Sequence, residues 1–318
     1  MSSSSSSSTV LLINDIRSKL IILICILYII FGTIGNILNI ILFRKRTLWT
    51  LTPCIPYLFI ASFVNLFLIY GFVPFRLLSG FQINPANAIS ILCKFQLFTY
   101  YVTTGLSTWF MVACCADRFF SSSHNALMRR YSNMRMTIRI SSMITFLIFI
   151  VYLQILYCYD TNQFAAISAC NVQAGICSVV DVIWTLCFQT IGPPILMLIF
   201  GIGTFIHIKQ KQRVQPLTAN TTEMQRDNNR HILPMLFIQV SMYLLCITPL
   251  LATKIYQNMT LSIIKSDVQR SVDSLIFVLS ILSSLVDKMF SFYIYTLFSK
   301  FYRKELIKLI RNMLRHHT

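Results

Sequence analysis

Apolar residues along this chain fall in long runs, not in the alternation of a strand or the stripe of a surface helix. Seven runs stand out, at 20–43, 54–75, 93–118, 141–157, 179–206, 232–255 and 272–298. About 20 apolar residues rise roughly 30 Å as a helix, the thickness of the hydrocarbon layer of a bilayer. The pattern predicts an all-α integral membrane protein, a bundle of seven transmembrane helices. Polar stretches between the runs are short. Pro53 and Pro74 bound the second run, Pro193-Pro194 interrupt the fifth and Pro249 the sixth. The chain has no internal repeat, and an odd number of spans does not divide into the inverted halves of many transporters.

The pattern changes at both ends. The first nine residues are mostly Ser, a composition of flexible chain, so residues 1–18 are expected to be a disordered N-terminal segment without a cleavable leader or a folded outer domain. Residues 19–298 carry the seven spans. From 299 to 318 the period returns to that of an amphipathic helix. Tyr302, Leu306, Leu309, Ile310, Met313 and Leu314 fall near one face, and Arg303, Lys304, Lys308, Arg311 and Arg315 near the other. Such a helix is expected to lie on a membrane surface.

Composition supports the bilayer as solvent: 56% of residues are hydrophobic and 12% charged, against about 25% charged in a soluble domain. The net charge of +17 is unevenly spread. Nineteen Lys and Arg lie on one side of the spans and seven on the other. The positive-inside rule then puts the N-terminus outside and the C-terminus in the cytosol. The excess charge faces anionic inner-leaflet lipid. Because it is split among short loops, nucleic acid is not the expected partner. The ten Cys lie mostly inside apolar runs, where Cys25, Cys114, Cys115, Cys187 and Cys246 are expected to pack as small hydrophobes. No metal cluster or catalytic pair stands out, so neither an enzyme nor a cofactor is expected. The five His fall in cytosolic stretches and are expected to be solvated. Asn258-Met259-Thr260 is an outward-facing glycosylation sequon.

Cys93 opens the third run and Asp117-Arg118-Phe119 close it, 25 residues later. Together with Gly35-Asn36 in span one, Cys246-Ile247-Thr248-Pro249 in span six and Ser291-Phe292-Tyr293-Ile294-Tyr295 in span seven, this order resembles the rhodopsin-like G-protein-coupled receptors. The chain is similar to a divergent, invertebrate orphan branch: Phe119 stands for the family's Tyr, Ile247 for its Trp, and Asn65 falls where relatives carry an Asp in span two. The resemblance implies a plasma-membrane receptor that binds an extracellular ligand and activates a heterotrimeric G protein. It implies a disulfide from Cys93 to the second outer loop, which offers Cys158, Cys170 and Cys177; Cys170, in mid-loop, is favoured.

The same resemblance assigns an activation switch to Asp117, Arg118, Asn229, Pro249 and Tyr295. Asn229 stands where many relatives carry an acid, so the inner lock is expected to be loose and basal activity measurable. Asn36, Asn65, Ser107, Asp287, Lys288 and Ser291 form an intramembrane polar cluster where relatives hold sodium. There the Lys288 ammonium is expected to replace the ion, pairing with Asp287 and hydrogen-bonding Asn65 or Ser107. Tyr100, Tyr101, Thr104 and Ile247 are expected to line the ligand pocket. Tyr100 stands where amine receptors carry an acid, which disfavours a monoamine. Lys288 is one turn too deep for a retinal Schiff base, with Leu285 at that position. A peptide or small neutral ligand remains open. The rival reading is a transporter or channel with Asp287 and Lys288 on its pathway, since charges within a span are costly and usually functional.

Overall fold

The computed structural model describes residues 2–44, 49, 54–123, 125–161, 170–173, 175–214, 220–260, 263–298 and 300–315. Among them the chain is almost wholly helical, with one two-stranded hairpin. Five helices are long and apolar enough to cross a membrane: Ser7–Phe43, Ile55–Gly80, Met134–Cys158, Ile176–Gln210 and Phe237–Met259. The pair Asp267–Met289 and Ser291–Phe298, bent by 49°, makes one more span, the seventh helix in chain order. The third helix, Ser90–Ser122, has 33 residues, ample length for a crossing, but is not among the apolar ones. The reason is its place. It is buried along most of its length between its neighbours, so its Thr, Ser, Gln, Asp and Arg side chains face protein and not lipid.

The first helix corrects one expectation. It starts at Ser2 and runs to Leu27, where a disordered segment is expected through residue 18. Extending an existing helix costs far less than starting one, and the apolar run from residue 20 supplies the nucleus. Tertiary contacts then hold the junction: Arg17 Nη1 donates to Ser274 Oγ at 2.7 Å and Gln82 Nε2 to Ser18 Oγ at 2.7 Å.

Two helices carry wide turns. In the first, Tyr28–Gly32 forms a π turn, and Asn36 Nδ2 caps the Gly32 carbonyl at 2.9 Å. In the fifth, a π turn at Leu186–Thr190 precedes Pro193-Pro194. Pro193 has no N–H to give the Gln189 carbonyl. The Tyr243 hydroxyl of the sixth helix donates to it instead, and Trp109 Nε1 of the third helix donates to the neighbouring Phe188 carbonyl at 3.0 Å. The proline-loosened turn thereby joins three helices. Gly192 is required there, because a Cβ would sit 2.1 Å from the Cys187 carbonyl oxygen. The sixth helix runs unbroken from Asn220 to Met259, through Pro249.

At the Cys93 end, strands Tyr159–Thr161 and Cys170–Val172 pair antiparallel, Thr161 opposite Cys170. Disulfides join Cys93 to Cys170 and Cys158 to Cys177, so the hairpin is fixed to the third helix and to the start of the fifth. At the other end the helix Lys300–Arg315 turns back on the bundle. Tyr302 is buried against Phe43, Phe292 and Tyr295 and its hydroxyl donates to Asn39 Oδ1.

Candidate functional site: a polar axis through the bundle

Three clusters lie along the third helix. At its far end Asp117 and Arg118 are buried, with Arg118 Nη2 3.7 Å from Asp117 Oδ2. Ser132 Oγ donates to Asp117 Oδ1 at 2.6 Å. Phe119 stacks on His207, ring centroids 4.9 Å apart, so His207 packs inside the fifth helix and is not the solvated loop residue expected. Gly203 permits that approach: a Cβ there would meet the Phe119 ring at 2.6 Å. Arg118 also borders an apolar cavity of about 410 Å³ between the third, fifth and sixth helices, beside Cys115, Ile202, Phe205, Phe237 and Val240. Asn229 lies on the sixth helix, but its side chain is outside the described residues. Pro249 is exposed. Tyr295 is buried, its ring 6.2 Å from Phe43.

In the middle, Lys288 Nζ donates to both carboxylate oxygens of Asp287, at 3.0 and 3.2 Å, and sits 5.0 Å from the Tyr243 ring centroid. Both side chains are more than 90% buried. One expected contact takes a different form. Asn65 Nδ2 reaches the main-chain carbonyl of Lys288 at 3.3 Å and Asn36 Oδ1 at 3.1 Å, and the ammonium makes no described bond to Asn65 or Ser107. The cause is the broken seventh helix. Val286–Met289 is a single turn, and the 49° bend at Phe290 that follows it leaves the Lys288 carbonyl open to the two Asn amides, since Asn36 Nδ2 reaches it too at 3.3 Å. Ser291 Oγ accepts from Asn39 Nδ2 at 3.2 Å. A cavity of about 20 Å³ lies among Asn65, Ser107, Gln239, Tyr243 and Asp287, room for about one water. The buried Asn65 Oδ1 and Gln239 Oε1 have no hydrogen-bond partner within the protein.

At the Cys93 end, Tyr100, Tyr101, Thr104 and Ile247 are all buried. Tyr100 and Ser284 hydroxyls are 3.0 Å apart, bridging the third and seventh helices. Thr104 Oγ1 donates to the Tyr100 carbonyl at 2.6 Å and accepts from Gln189 Nε2 at 2.7 Å. Tyr101 belongs to a network the sequence reading misses. Lys254 Nζ donates to Tyr101 Oη at 2.7 Å, Asp181 Oδ2 at 3.0 Å and Thr185 Oγ1 at 3.0 Å. Tyr159 Oη of the hairpin donates to Asp181 Oδ1 at 2.8 Å. Third, fifth and sixth helices and the hairpin meet at one buried ion pair. The signal was present: Lys254 and Asp181 each lie inside an apolar run, where a charge needs a partner. Asn258 is exposed on the last turn of the sixth helix. Cys187 faces outward, exposed, unlike the other free Cys.

A disulfide-tethered helix whose opposite end buries an Asp-Arg pair, crossed by broken helices with polar interiors, describes a membrane receptor bundle. The family model of the 7 transmembrane receptors (rhodopsin family) matches residues 35–288, most of the chain. The chain belongs to that family: it is a multi-pass membrane receptor and not an enzyme. No curated protein matches it in sequence.

Proposed function

We propose that the chain is a plasma-membrane receptor with the Cys93 end outside and the Arg118 end in the cytosol, which binds an extracellular ligand and activates a heterotrimeric G protein. The observation that carries this reading is the third helix itself. One rigid element touches the Lys254–Asp181 network at one end and buries Arg118 at the other. The excess of Lys and Arg on the Arg118 side supports the orientation, and the basic face of the helix Lys300–Arg315 suits anionic lipid. Asn258 then faces outward for glycosylation. Activation is a population shift between two packings of the bundle. Ligand contact with Tyr100, Tyr101 or Thr104 changes how the third helix meets the fifth, sixth and seventh. Opening of the sixth helix exposes Arg118 and widens the apolar cavity beside it for the G protein. Asn229, in place of an acid, leaves basal activity measurable. Lys288 stands as a built-in cation on Asp287, which makes the receptor insensitive to sodium.

The test is nucleotide exchange on a panel of purified heterotrimeric G proteins, with the receptor reconstituted in vesicles. Acceleration of exchange on at least one of them without added ligand is expected. Folded, correctly inserted receptor that accelerates none would refute the proposal.

A further inference from the structure

The acids at the Cys93 end are almost all taken. Asp15 pairs with Lys19, Asp181 with Lys254, Asp273 with Lys265 and Asp267 with Arg270, and Asp160 accepts from Ser90 and the Thr161 amide. Arg76, on the helix Val73–Gly80, has no acid partner among the described residues, and its Nε has no hydrogen-bond partner. Its Nε is fully buried while the residue as a whole keeps partial exposure. The one described contact of its guanidinium is the face of Phe72, 5.2 Å to the centroid. A part-buried guanidinium without a counter-charge is costly. Arginine is also the side chain best shaped to take a carboxylate through two parallel bonds.

We infer that Arg76 is the ligand-recognition cation of this receptor, and that its ligand is a small amphipathic organic acid whose carboxylate pairs with the Arg76 guanidinium. The inference rests on the proposed placement of the Cys93 end as the ligand-facing one. The surroundings favour an apolar, aromatic-compatible body. The Phe72 ring lies 4.7 Å from Tyr100, and Tyr100 lies 5.2 Å from Tyr101. The same chain of rings gives the acid a way to be felt. Drawing the guanidinium off Phe72 alters the ring that packs on Tyr100, whose hydroxyl meets Ser284 of the seventh helix. Lys254 does not serve as the recognition cation, because Asp181 already balances it and an acid bound there would leave Asp181 buried and unpaired.

The test is thermal unfolding of the full receptor in phosphatidylcholine nanodiscs, wild type against Arg76→Gln. The probes are an aromatic acid series from benzoate to 4-phenylbutyrate, each with its methyl ester. A ligand bound only by the folded state raises the midpoint. The expected result has two parts. At least one acid raises the wild-type midpoint while its ester does not, and the rise is lost in Arg76→Gln. Without probe, Arg76→Gln unfolds at the same temperature as wild type or higher, because an unpaired, part-buried charge has been removed. A lower midpoint for probe-free Arg76→Gln would mark a structural arginine and overturn the inference. So would equal shifts from acid and ester, no shift from any acid, or an Arg76-dependent shift that needs only phosphatidylserine in the disc, which would assign the cation to a lipid headgroup. The assay contains no G protein, so a failure of coupling and a failure of acid recognition read separately.

Discussion

Removing Lys288 alone should harm this protein more than removing Lys288 and Asp287 together. The two are adjacent, over 90% buried and in bidentate contact at 3.0 and 3.2 Å, with the ammonium over the Tyr243 ring. Lys288→Met leaves the Asp287 carboxylate buried beside Asn65 and Gln239, whose own oxygens already lack donors. Breaking a buried pair from one side costs about 3–5 kcal/mol, whereas replacing both partners by apolar residues is often neutral. Loss of the cation–π contact adds up to about 2 kcal/mol to any variant lacking Lys288. The assay is a double-mutant cycle with Lys288→Met, Asp287→Leu and the double variant, unfolded by sodium dodecyl sulfate in mixed micelles. Each single variant should lose about 3 kcal/mol or more, the double should recover most of it, and the coupling should be several kcal/mol. A coupling below about 1 kcal/mol would mean that the charges are solvated and that the middle cluster is not a closed ion pair.

Other outcomes follow from single contacts. Tyr243→Phe removes the donor that replaces the missing N–H of Pro193 at the Gln189 carbonyl, and should cost about 1–3 kcal/mol in the same unfolding assay. Ser132→Ala takes away the hydroxyl on Asp117; basal nucleotide exchange should rise several-fold, and an unchanged rate would show that Asp117 is held by other means. Gly192→Ala places a methyl where the Cys187 carbonyl already sits, so the yield of folded receptor should collapse, while Gly201→Ala, with open space around it, should express normally. The Ser90 hydroxyl, with the Thr161 amide, holds the Asp160 carboxyl below its ordinary range. Its contribution to the hairpin is therefore complete above the usual carboxylate pKa and is lost as pH falls through the lowered one. Hydrogen-exchange protection of Tyr159–Thr161, corrected for intrinsic rates, should hold at neutral pH and fall in acid, and Ser90→Ala should move that loss to higher pH.

The spans were legible in the sequence because lipid imposes a simple demand, an uninterrupted apolar surface of fixed length. The third helix obeys it least, since lipid is not its solvent, and there the Cys93 and Asp117-Arg118 ends identify it better than hydropathy does. Family resemblance implies only a bridge from Cys93 to the second outer loop; the mid-loop position favours Cys170 over Cys158 and Cys177, and the disulfide joins Cys93 to Cys170. What stayed hidden depends on side-chain direction. Lys254, inside the sixth apolar run near its end, signals the need for a partner, but not that the partner is Asp181, 73 residues away. Arg76 reads as an outer-loop charge, yet its Nε is buried. The π turn at Leu186–Thr190 has no residue signature beyond the prolines that follow it. The helical start at Ser2 overrides a composition that would stay disordered in isolation.

The central claim is that one buried arginine couples this bundle to a G protein. The direct measurement is nucleotide exchange by wild type and Arg118→Ala in the same proteoliposomes, with ion flux recorded alongside. Exchange accelerated by wild type and abolished in Arg118→Ala, with no flux from either, is the predicted result. Equal exchange from both, or a flux that depends on Asp287 and Lys288 while exchange stays at background, would contradict the receptor mechanism and favour a transport pathway through the middle cluster.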